Sequence, residues 1–564
     1  MINLRRAFAL LSALVLTACG GGGGGSNNDW LTFSPTPLKV SAFDRVPQTF
    51  QVTAHSSRVI SQQIYVKIVD ASGVTDGNVQ LDQSSGDGQT IVATLTTAST
   101  LQTGSHTGTF AVWLYTDAAM TQVYSGSPWN VPYDIEVAPR HAEHRVFADR
   151  QAVALAAFPT ASKSRLTASI RLDDNQGQAT PWLASSDQSW LTVTASGNVG
   201  AGMSLNVTAD PSSLPADALS LATITITSSG ASIAAPEIVR VGLWKSSTDP
   251  TSHSTALPFA RLAADPLRPY VYGISPNTGG INNAVIDVFN VYSGTVIGTI
   301  TPDPQSPISS ASSPIAVSND GRRLYVGENA NHVAVYDLET RTFTRSIPMS
   351  VQVGSRDDQP FQLLRVDGHE LLVTAYGQTT DLDTGKELAA SVSGFPSNAI
   401  VHWDPYRWEL YAISSGTGAG QATRWSVDWI DSDGGAVLFD ALQARSLAAM
   451  YCESGGLSPD GSVLYAGTGS FQSTTLAASP GELPQADPAR GGMLYQIRVG
   501  PDGRRYAYYL TGELYVFAAD GTQLVHEELP QTEDEVPLEV SSDGVVAAIS
   551  HTVNGISLVE FRVF

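Results

Sequence analysis

A repeated strand–turn–strand unit is the feature of this sequence that most constrains its fold. Residues 318–347 read SNDGRRLYVGENANHVAVYDLETRTFTRSI, in which Asp320-Gly321 is a tight turn between two β-prone runs. Comparable turns recur at intervals of 55, 47, 37, 56, 42 and 41 residues. The seven turn residues are Asp265, Asp320, Asp367, Asp404, Asp460, Asp502 and Asp543. Seven copies of roughly 44 residues predict a β-propeller, whose blades have this length.

Each copy carries signs of four antiparallel strands. A second turn follows the third strand in several copies, as at Ser293-Gly294 and Asp520-Gly521. An apolar residue stands three positions before every Asp turn, as an inner strand packed between blades requires. These residues are Leu262, Val317, Leu364, Val401, Leu457, Val499 and Val540. The last copy supplies only three strands, so residues 246–258 are predicted to add the fourth and close the ring.

The repeats resemble a known family. AVSNDGRRLYVGENANHVAVYDLETRTF and LSPDGSVLYAGTG (457–469) are similar to seven-bladed propellers of the YVTN, lactonase-like type. The resemblance covers residues 256–564 and implies the fold. It does not imply one function, because this fold hosts enzymes, receptors and scaffolds.

Residues 1–18 are predicted to be a signal peptide. Arg5 and Arg6 precede an apolar stretch that is too short to span a membrane. Leu16-Thr17-Ala18-Cys19 resembles a bacterial lipobox, which implies cleavage before Cys19, lipidation of its sulfur and anchoring in the lipid bilayer. The alternative is an ordinary signal peptide with an incidental cysteine. Residues 19–29 are rich in glycine and would form a tether, and Gly20 in place of Asp favours the outer over the inner membrane by the same resemblance.

Composition agrees with an exported protein. The chain has 31 basic and 53 acidic residues, a net charge of −22, which argues against binding to nucleic acid. It contains two cysteines; once Cys19 is lipidated, Cys452 has no partner for a disulfide. A hydrophobic content of 42% over 564 residues is enough to bury large cores without such links.

Two smaller β-sandwiches are predicted before the propeller. Residues 30–138 show the alternation of an immunoglobulin-like sandwich. Their end, GTFAVWLYTDAAMTQVYSGSPWNVPYDIEV, resembles a surface-lipoprotein module in which two cysteines flank the Asp. Here Tyr115 and Met120 stand around Asp117, which implies that the disulfide is absent.

Residues 143–245 form the second predicted sandwich. The string SWLTVTASGNVGAGMSLNVTADPSSLPADALSLATITITSS (189–229) resembles BACON-type domains, for which carbohydrate contact is one implied role. Trp182 and Trp190 would then either stack on sugar or fill the sandwich core. Residues 246–255 read as a linker. The predicted fold class is therefore all-β, with two immunoglobulin-like β-sandwiches followed by a seven-bladed β-propeller.

The two faces of the predicted propeller differ. Because strands alternate in direction, both tight turns of a blade lie on one face, and the longer connections lie on the other. The long connections are residues 275–284, 301–313, 350–360, 414–422 and 467–492. Since rigid scaffolds present binding residues on loops, the face with the long loops is a candidate binding surface. The alternative is that the long loops are tolerated insertions without a function.

Charged residues on the innermost strands offer a second candidate site. Arg261, Arg498 and Glu539 stand four residues before their Asp turns, on blades that become adjacent when the ring closes. Arg365 and His402 stand two residues before theirs. These five candidate channel-lining residues would form a site at the central channel that binds anions or performs acid–base chemistry. The alternative is that Arg and Glu form ion pairs that stabilise the closed ring of blades.

Other motifs predict little chemistry. Histidines of the repeat region lack metal-ligand spacing, and Asp431-Ser-Asp433-Gly434 fits a hairpin turn better than a calcium loop. We therefore expect neither a metal nor a cofactor, and no catalytic residue is assigned. Cys452 is expected to be an inert thiol.

The sequence favours a lipid-anchored envelope protein whose propeller binds a protein or a glycan. The alternative is a lactonase-like hydrolase with its active site at the central channel. A purely structural partner in an envelope assembly is the third possibility. An enzyme needs convergent titratable groups at the channel mouth, whereas a platform needs exposed apolar surface on its loops, for which Phe471 and the loop at residues 281–285 are candidates.

Overall fold

A computed structural model shows that the chain divides into two compact units, residues 1–142 and 143–564. It describes residues 13–14, 30–44, 46–60, 62–82, 89–141, 143–200, 204–228, 230, 233–256, 259, 261–275, 284–303, 308, 313–328, 331–350, 362–389, 392–396, 399–405, 407–414, 420–430, 435–447, 455–466, 469–477, 494–509, 512–529, 538–553 and 556–564. Within these ranges, regular structure is β-strand apart from a 3₁₀ turn at Ala161–Lys163. The predicted all-β character is confirmed.

The N-terminal unit contains two sheets around one core. Its strands are β1 (Ala13–Leu14), β2 (Leu31–Ser34), β3 (Leu38–Phe43), β4 (Thr49–Ser56), β5 (Ile64–Val69), β6 (Thr75–Asp82), β7 (Thr90–Thr97), β8 (Gly104–Tyr115) and β9 (Trp129–Ala138). The sheet orders are β1-β5-β8-β9-β3 and β2-β4-β7-β6. Alternation along β8 directs Phe110, Val112 and Leu114 inward, where they share a core with Val52 of β4 and Leu95 of β7.

Hydrogen bonds to the Asp117 carboxylate close the loop after β8. The Asp117 carboxylate accepts the backbone N–H groups of Gln122 at 2.7 Å and Thr121 at 3.0 Å. It also accepts the Thr121 hydroxyl at 2.8 Å. The Gln122 bond, followed by the Thr121 hydroxyl, lowers the pKa of Asp117. The carboxylate therefore remains ionised and holds the loop at neutral pH.

Three sheets are formed by the residues of 143–245, the middle domain, that the structure describes. The strands are β10 (Val146–Ala148), β11 (Ala152–Ala157), β12 (Thr167–Ile170), β13 (Leu172–Asp174), β14 (Pro181–Ser186), β15 (Leu191–Val193), β16 (Ser196–Asn198), β17 (Leu205–Ala209), β18 (Ala218–Ser228) and β19 (Glu237–Lys245). The sheet orders are β10-β13, β11-β19-β18-β14-β16 and β12-β17-β15. Trp182 and Trp190 lie in their common core, so stacking of these two rings on sugar is wrong and the core assignment is right.

Seven small sheets are formed by the described part of residues 253–564, the repeat domain. The strands are β20 (His253–Thr255), β21 (Leu262–Ala264), β22 (Tyr270–Ser275), β23 (Val285–Asn290), β24 (Thr295–Ile300), β25 (Ile315–Val317), β26 (Arg323–Glu328), β27 (His332–Asp337), β28 (Thr342–Pro348), β29 (Gln362–Val366), β30 (His369–Val373), β31 (Thr379–Asp381), β32 (Glu387–Ala389), β33 (Ala399–Asp404), β34 (Glu409–Ser414), β35 (Gly420–Ile430), β36 (Ala436–Leu447), β37 (Gly455–Leu457), β38 (Val463–Ala466), β39 (Gly469–Gln472), β40 (Leu494–Val499), β41 (Arg505–Tyr509), β42 (Glu513–Phe517), β43 (Gln523–Glu528), β44 (Leu538–Val540), β45 (Val546–Val553) and β46 (Ile556–Val563).

Consecutive strands pair in antiparallel order within each sheet. The sheets are β21–β24, β25–β28, β29–β32, β33–β36, β37–β39, β40–β43 and β20-β46-β45-β44, called sheets one to seven below. The last confirms the predicted pairing of the two chain ends, since His253 of β20 lies opposite Phe561 of β46. Strand β21 lies beside β25, and the strands β29, β33, β37, β40, β44 and β21 follow one another as neighbours. Each sheet therefore covers faces that its neighbour would otherwise leave exposed.

The seven predicted Asp turns lie at the ends of strands β21, β25, β29, β33, β37, β40 and β44. In the first sheet, Asp265 Oδ1 accepts the backbone N–H groups of Leu267 at 2.8 Å and Arg268 at 3.0 Å. An Asp side chain that mimics a backbone acceptor in this way favours a turn. In the second sheet, Gly321 has a φ of +69°, a conformation that glycine adopts without steric cost.

Candidate functional site

Arginines link neighbouring sheets on the side of the Asp turns. The motif Asp-Pro-x-Arg occurs in two turns, at residues 265–268 and 404–407. In both, the arginine Nη1 donates to the Asp of its own turn at 3.0 Å and to the carbonyl of the glycine in the next sheet's turn. The pairs are Arg268 with Gly321, at 2.7 Å, and Arg407 with Gly461. Sequence reasoning missed these links, although recurrence of the four-residue motif was a usable signal.

The middle domain lies over this same face of the repeat domain. Polar contacts reach the first turns of the second and third sheets: Arg240 Nη1 donates to the Asp320 carbonyl at 3.2 Å, and Asn175 Nδ2 donates to Asp367 Oδ1 at 2.8 Å. Arg240 also forms an ion pair at 2.6 Å with Glu339, in the second turn of its sheet. First and second turns therefore share one face, as the alternation of strand direction requires.

Apolar contacts extend this junction to the first and fourth sheets. The Phe147 and Trp408 rings meet edge to face with centroids 5.6 Å apart. Gly242 of β19 lies so close to the first sheet that a Cβ there would stand 2.0 Å from the Leu267 carbonyl oxygen. With the polar contacts, the middle domain touches the first turns of four of the seven sheets, which leaves these turns little surface for a partner.

A cavity of about 1180 Å³ lies between the middle domain and the repeat domain, on the side of the Asp turns. Strands β11, β12 and β17 form one wall, and the first turns of sheets four to seven form the other. Its charged lining residues are Asp149, Asp404, Asp460, Asp502, Glu539 and Asp543 against Arg150, Arg165, Arg171 and Arg498. Acidic groups outnumber basic ones, so the balance of charge does not favour an anionic ligand.

Three of the five candidate channel residues line this cavity together: His402 of β33, Arg498 of β40 and Glu539 of β44. Arg498 Nε lies 3.4 Å from Glu539 Oε2. Burial, with the positive charge of Arg498, lowers the pKa of His402 to about 3. The imidazole is therefore neutral at neutral pH.

The His402 ring packs across the first strand of the fifth sheet. A Cβ on Gly455 would stand 2.3 Å from His402 Nε2, so glycine at this position leaves room for the ring. No local sequence pattern indicates that a glycine in β37 makes room for the side chain of His402 from the neighbouring sheet.

The other two candidates lie elsewhere. Arg365 of β29 points toward the middle domain and forms a bidentate ion pair with Glu237 of β19, at 2.6 and 2.8 Å. Arg261 is half-buried and is not part of the cavity wall. Within the described part of the chain, it has no hydrogen bond or ion pair.

Asp543, in the turn of the seventh sheet, is a titratable group with a testable effect on stability. Its carboxylate accepts the backbone N–H of Val545 at 3.1 Å and the hydroxyls of Ser541 and Tyr292. Burial raises the pKa of Asp543 to about 6 from 3.8. The folded protein therefore binds a proton that the unfolded chain releases, and stability due to this group increases as pH falls from 7 toward 4.

We expect Asp543→Asn to remove this contribution. The shift corresponds to about 3 kcal/mol between its limits, so the variant should gain stability relative to the wild type as pH rises from 5 to 7.5. Urea unfolding at several pH values measures this difference, and subtraction cancels groups that titrate in both proteins. Parallel stability curves for the two proteins would contradict the assignment.

Several sequence predictions fall outside the described residues: Cys19, Cys452, the Asp431–Gly434 turn and most of the five long connections. Phe471 is described and is buried, with 8% of its surface exposed, so its proposed role as an exposed binding aromatic is wrong. Where the structure is described, no cluster of three potential metal ligands is found. The same residues include no helix with the length and apolarity needed to cross a membrane.

Comparison with known proteins does not assign a family. No family model matches the chain, and no curated protein matches it. Among 491 similar solved chains is one from the "Crystal Structure of Mitotic Checkpoint Complex", with 15% identity and a TM-score of 0.39. That match covers 55% of this chain and 93% of the other. At this level, the likeness carries no argument about function.

Proposed function

We propose that this chain is an exported, lipid-anchored envelope protein whose repeat domain is a seven-bladed propeller that serves as a binding platform. In this proposal, the N-terminal unit and the middle domain are immunoglobulin-like and BACON-like sandwiches. Seven Asp turns that begin seven consecutive sheets, and the pairing of β20 with β46, support the propeller assignment. The partner would be a protein or a glycan of the cell envelope.

The platform proposal rests on one observation: the middle domain covers the face of the repeat domain on which the Asp turns lie. Arg365–Glu237, Arg240–Glu339 and Asn175–Asp367 join the two. A partner of the propeller would therefore use the opposite face, to which the sequence assigns the long connections. Loops on a rigid scaffold suit recognition, because the scaffold limits the entropy lost on binding.

The test is capture of partners from detergent-solubilised native envelope with the lipidated protein. We expect one stoichiometric partner, which is retained by the triple variant Arg261→Ala, Arg498→Ala, Glu539→Ala. Replacement of residues 276–283 by a Gly/Ser segment of equal length should abolish capture. If only the triple variant loses the partner, the contact lies at the channel and not on the long loops. If neither the wild type nor any variant captures a partner, the platform proposal is wrong.

The lipid anchor has its own test. Cys19→Ser should abolish incorporation of radiolabelled palmitate and release the protein from the membrane fraction, because the sulfur that carries the diacylglycerol is lost. Cys452→Ser is the matched control and should label like the wild type. Labelling that survives Cys19→Ser would contradict lipidation at this residue.

A hydrolase is the second candidate, since His402, Arg498 and Glu539 converge on one cavity. Two features favour binding over acid–base chemistry at this point: Glu539 is engaged by Arg498, and the pKa of His402 is lowered to about 3. Hydrolysis of a lactone that disappears in Glu539→Gln would favour the enzyme instead.

A further inference from the structure

The chain enters and leaves the N-terminal unit at opposite ends. Trp30, which the tether would join, packs edge to face on Trp129 with ring centroids 5.3 Å apart. Trp129 begins β9, whose ten residues end at Ala138, about 33 Å away at the usual rise of a strand. The chain then continues into the middle domain. A lipid on Cys19 would therefore anchor the Trp30 end of this unit and not the Ala138 end.

Such an anchor would hold the Trp30 end close to the bilayer, so the inference developed here rests on the lipid anchor proposed above. Residues 19–29 are rich in glycine, and a flexible segment of this length has a root-mean-square span of about 18 Å. Trp30 itself is fixed, with 7% of its surface exposed and the Arg58 guanidinium 4.1 Å above its ring. A short tether gives a high effective concentration, at which even weak contacts between this end and the bilayer are occupied.

Two large apolar side chains are exposed in the described part of the N-terminal unit, and both lie at the Trp30 end. They are Val59 and Val123, which are 40% and 49% exposed. Val59 follows Arg58, whose Nη2 donates to the Tyr124 hydroxyl at 3.4 Å, and Val123 precedes Tyr124. The two valines therefore flank one side-chain contact, next to the residue at which the tether ends.

Half-buried aromatic rings adjoin Val123. Tyr115 forms a β-bridge with Val123, and its ring stacks on Trp113 with centroids 6.5 Å apart. Tyr65 of β5 lies opposite Tyr115. Alternation along β8 turns Trp113 and Tyr115 to the outer face of the sheet. Tyr and Trp rings favour the boundary between hydrocarbon and water, because one part of the ring is apolar and another forms hydrogen bonds.

The predicted removal of the signal peptide would enlarge this surface. Ala13 and Leu14 pair with Tyr65 and Ile64 at the edge of β5. Both residues of this pairing strand, β1, belong to the segment that cleavage before Cys19 would remove. Processing would therefore uncover the edge of β5 beside Tyr115.

The charges at the Trp30 end favour a zwitterionic lipid surface. Arg58 is exposed, and an arginine side chain can cover an apolar surface with its stem while its guanidinium contacts lipid phosphate. Asp117, in the same loop as Val123, has a lowered pKa and is ionised. Charges of both signs give no preference for an anionic membrane. The opposite end is polar at the turn before β8, where the exposed residues are Ser99, Thr100, Gln102 and Thr103.

We propose that the Trp30 end of the N-terminal unit lies against the headgroups of a zwitterionic phospholipid bilayer, with Val59, Val123 and Tyr124 in contact with lipid. This contact adds a protein surface to the acyl chains of the anchor. It fixes which end of the N-terminal unit faces the membrane, and it involves neither face of the repeat domain.

The test follows a nitrobenzoxadiazole label at residue 123, whose fluorescence moves to shorter wavelength when the label leaves water. The protein begins at residue 19 and carries Cys19→Ser, Cys452→Ser and Val123→Cys. An N-terminal His tag holds it on phosphatidylcholine vesicles that contain a nickel-chelating lipid. Because the tag replaces the acyl chains, the result does not depend on lipidation of Cys19, which palmitate labelling tests separately. We expect the emission to shift to shorter wavelength when the protein binds these vesicles.

A label at residue 99 is the matched control. Ser99 is exposed at the opposite end of the unit, so the label on Ser99→Cys should emit at the same wavelength with and without vesicles. Val59→Asp should abolish the shift at residue 123, because a charge is costly in the apolar part of a bilayer. Thr100→Asp, which places the same charge at the opposite end, should leave that shift unchanged.

Three results on vesicles would overturn the proposal: no shift of the label at residue 123, equal shifts at residues 123 and 99, or a full shift in Val59→Asp. A shift that occurs without vesicles and grows with protein concentration would also overturn it, because the surface would then bind a second copy of the chain.

Discussion

Arg365→Ala is expected to lower the free energy of unfolding of residues 143–564 by about 3–5 kcal/mol, the usual cost of removing one partner from a buried ion pair. The side chains of Arg365 and Glu237 are 14% and 6% exposed. Loss of the guanidinium leaves the Glu237 carboxylate buried where the middle domain meets the repeat domain, with the Ala148 N–H at 3.2 Å as a remaining donor. Urea unfolding measures the change.

Arg323→Ala provides the matched control. Arg323 also forms an ion pair at 2.6 Å, with Asp383, but those side chains are 41% and 44% exposed. We expect a cost of at most about 1 kcal/mol, because water solvates either charge once the pair is broken. A double change of Arg365 and Glu237 to Leu should recover much of the lost stability. Equal costs for the two alanine variants would contradict burial as the cause.

Gly242→Ala is expected to separate the middle domain from the first sheet. The new Cβ would stand 2.0 Å from the Leu267 carbonyl oxygen, and a backbone atom in a hydrogen-bonded turn cannot move aside as a flexible side chain can. Overpacking of this kind costs about 1–3 kcal/mol. Hydrogen exchange should show faster exchange of the amides at residues 265–268, beside the new methyl group.

The control for this substitution is Gly230→Ala, also in the middle domain. There, the nearest atom to a new Cβ is Pro181 Cγ at 3.1 Å, which a small shift of one side chain relieves. We expect unchanged exchange at residues 265–268 and a stability within about 0.5 kcal/mol of the wild type. Normal exchange in Gly242→Ala would show that the two domains do not meet closely at Leu267.

Local chemistry explains what could be predicted of the repeat domain. An Asp side chain that caps a turn and a glycine with positive φ stabilise the backbone of only a few neighbouring residues. The turns at Asp265 and Asp320 can therefore be predicted from the sequence. Pairing of His253 with Phe561 followed from counting strands, since a three-stranded last copy leaves an open edge.

The candidate site was only partly predictable. Alternation identifies Arg365, His402 and Arg498 as side chains of inner strands, but it does not say which partner each will meet. His402 and Arg498 line one cavity, whereas Arg365 reaches a carboxylate 128 residues earlier in the chain.

The amino-acid sequence by itself determined the β-strand content, the seven turns and the meeting of the two ends of the repeat domain, because turn propensity and apolar alternation act over a few residues. Only the tertiary structure decided that the middle domain covers the turn face and encloses a cavity there. Its contacts, such as Asn175 with Asp367, join residues 192 positions apart. They depend on shape and charge complementarity between two folded surfaces, which no local pattern encodes.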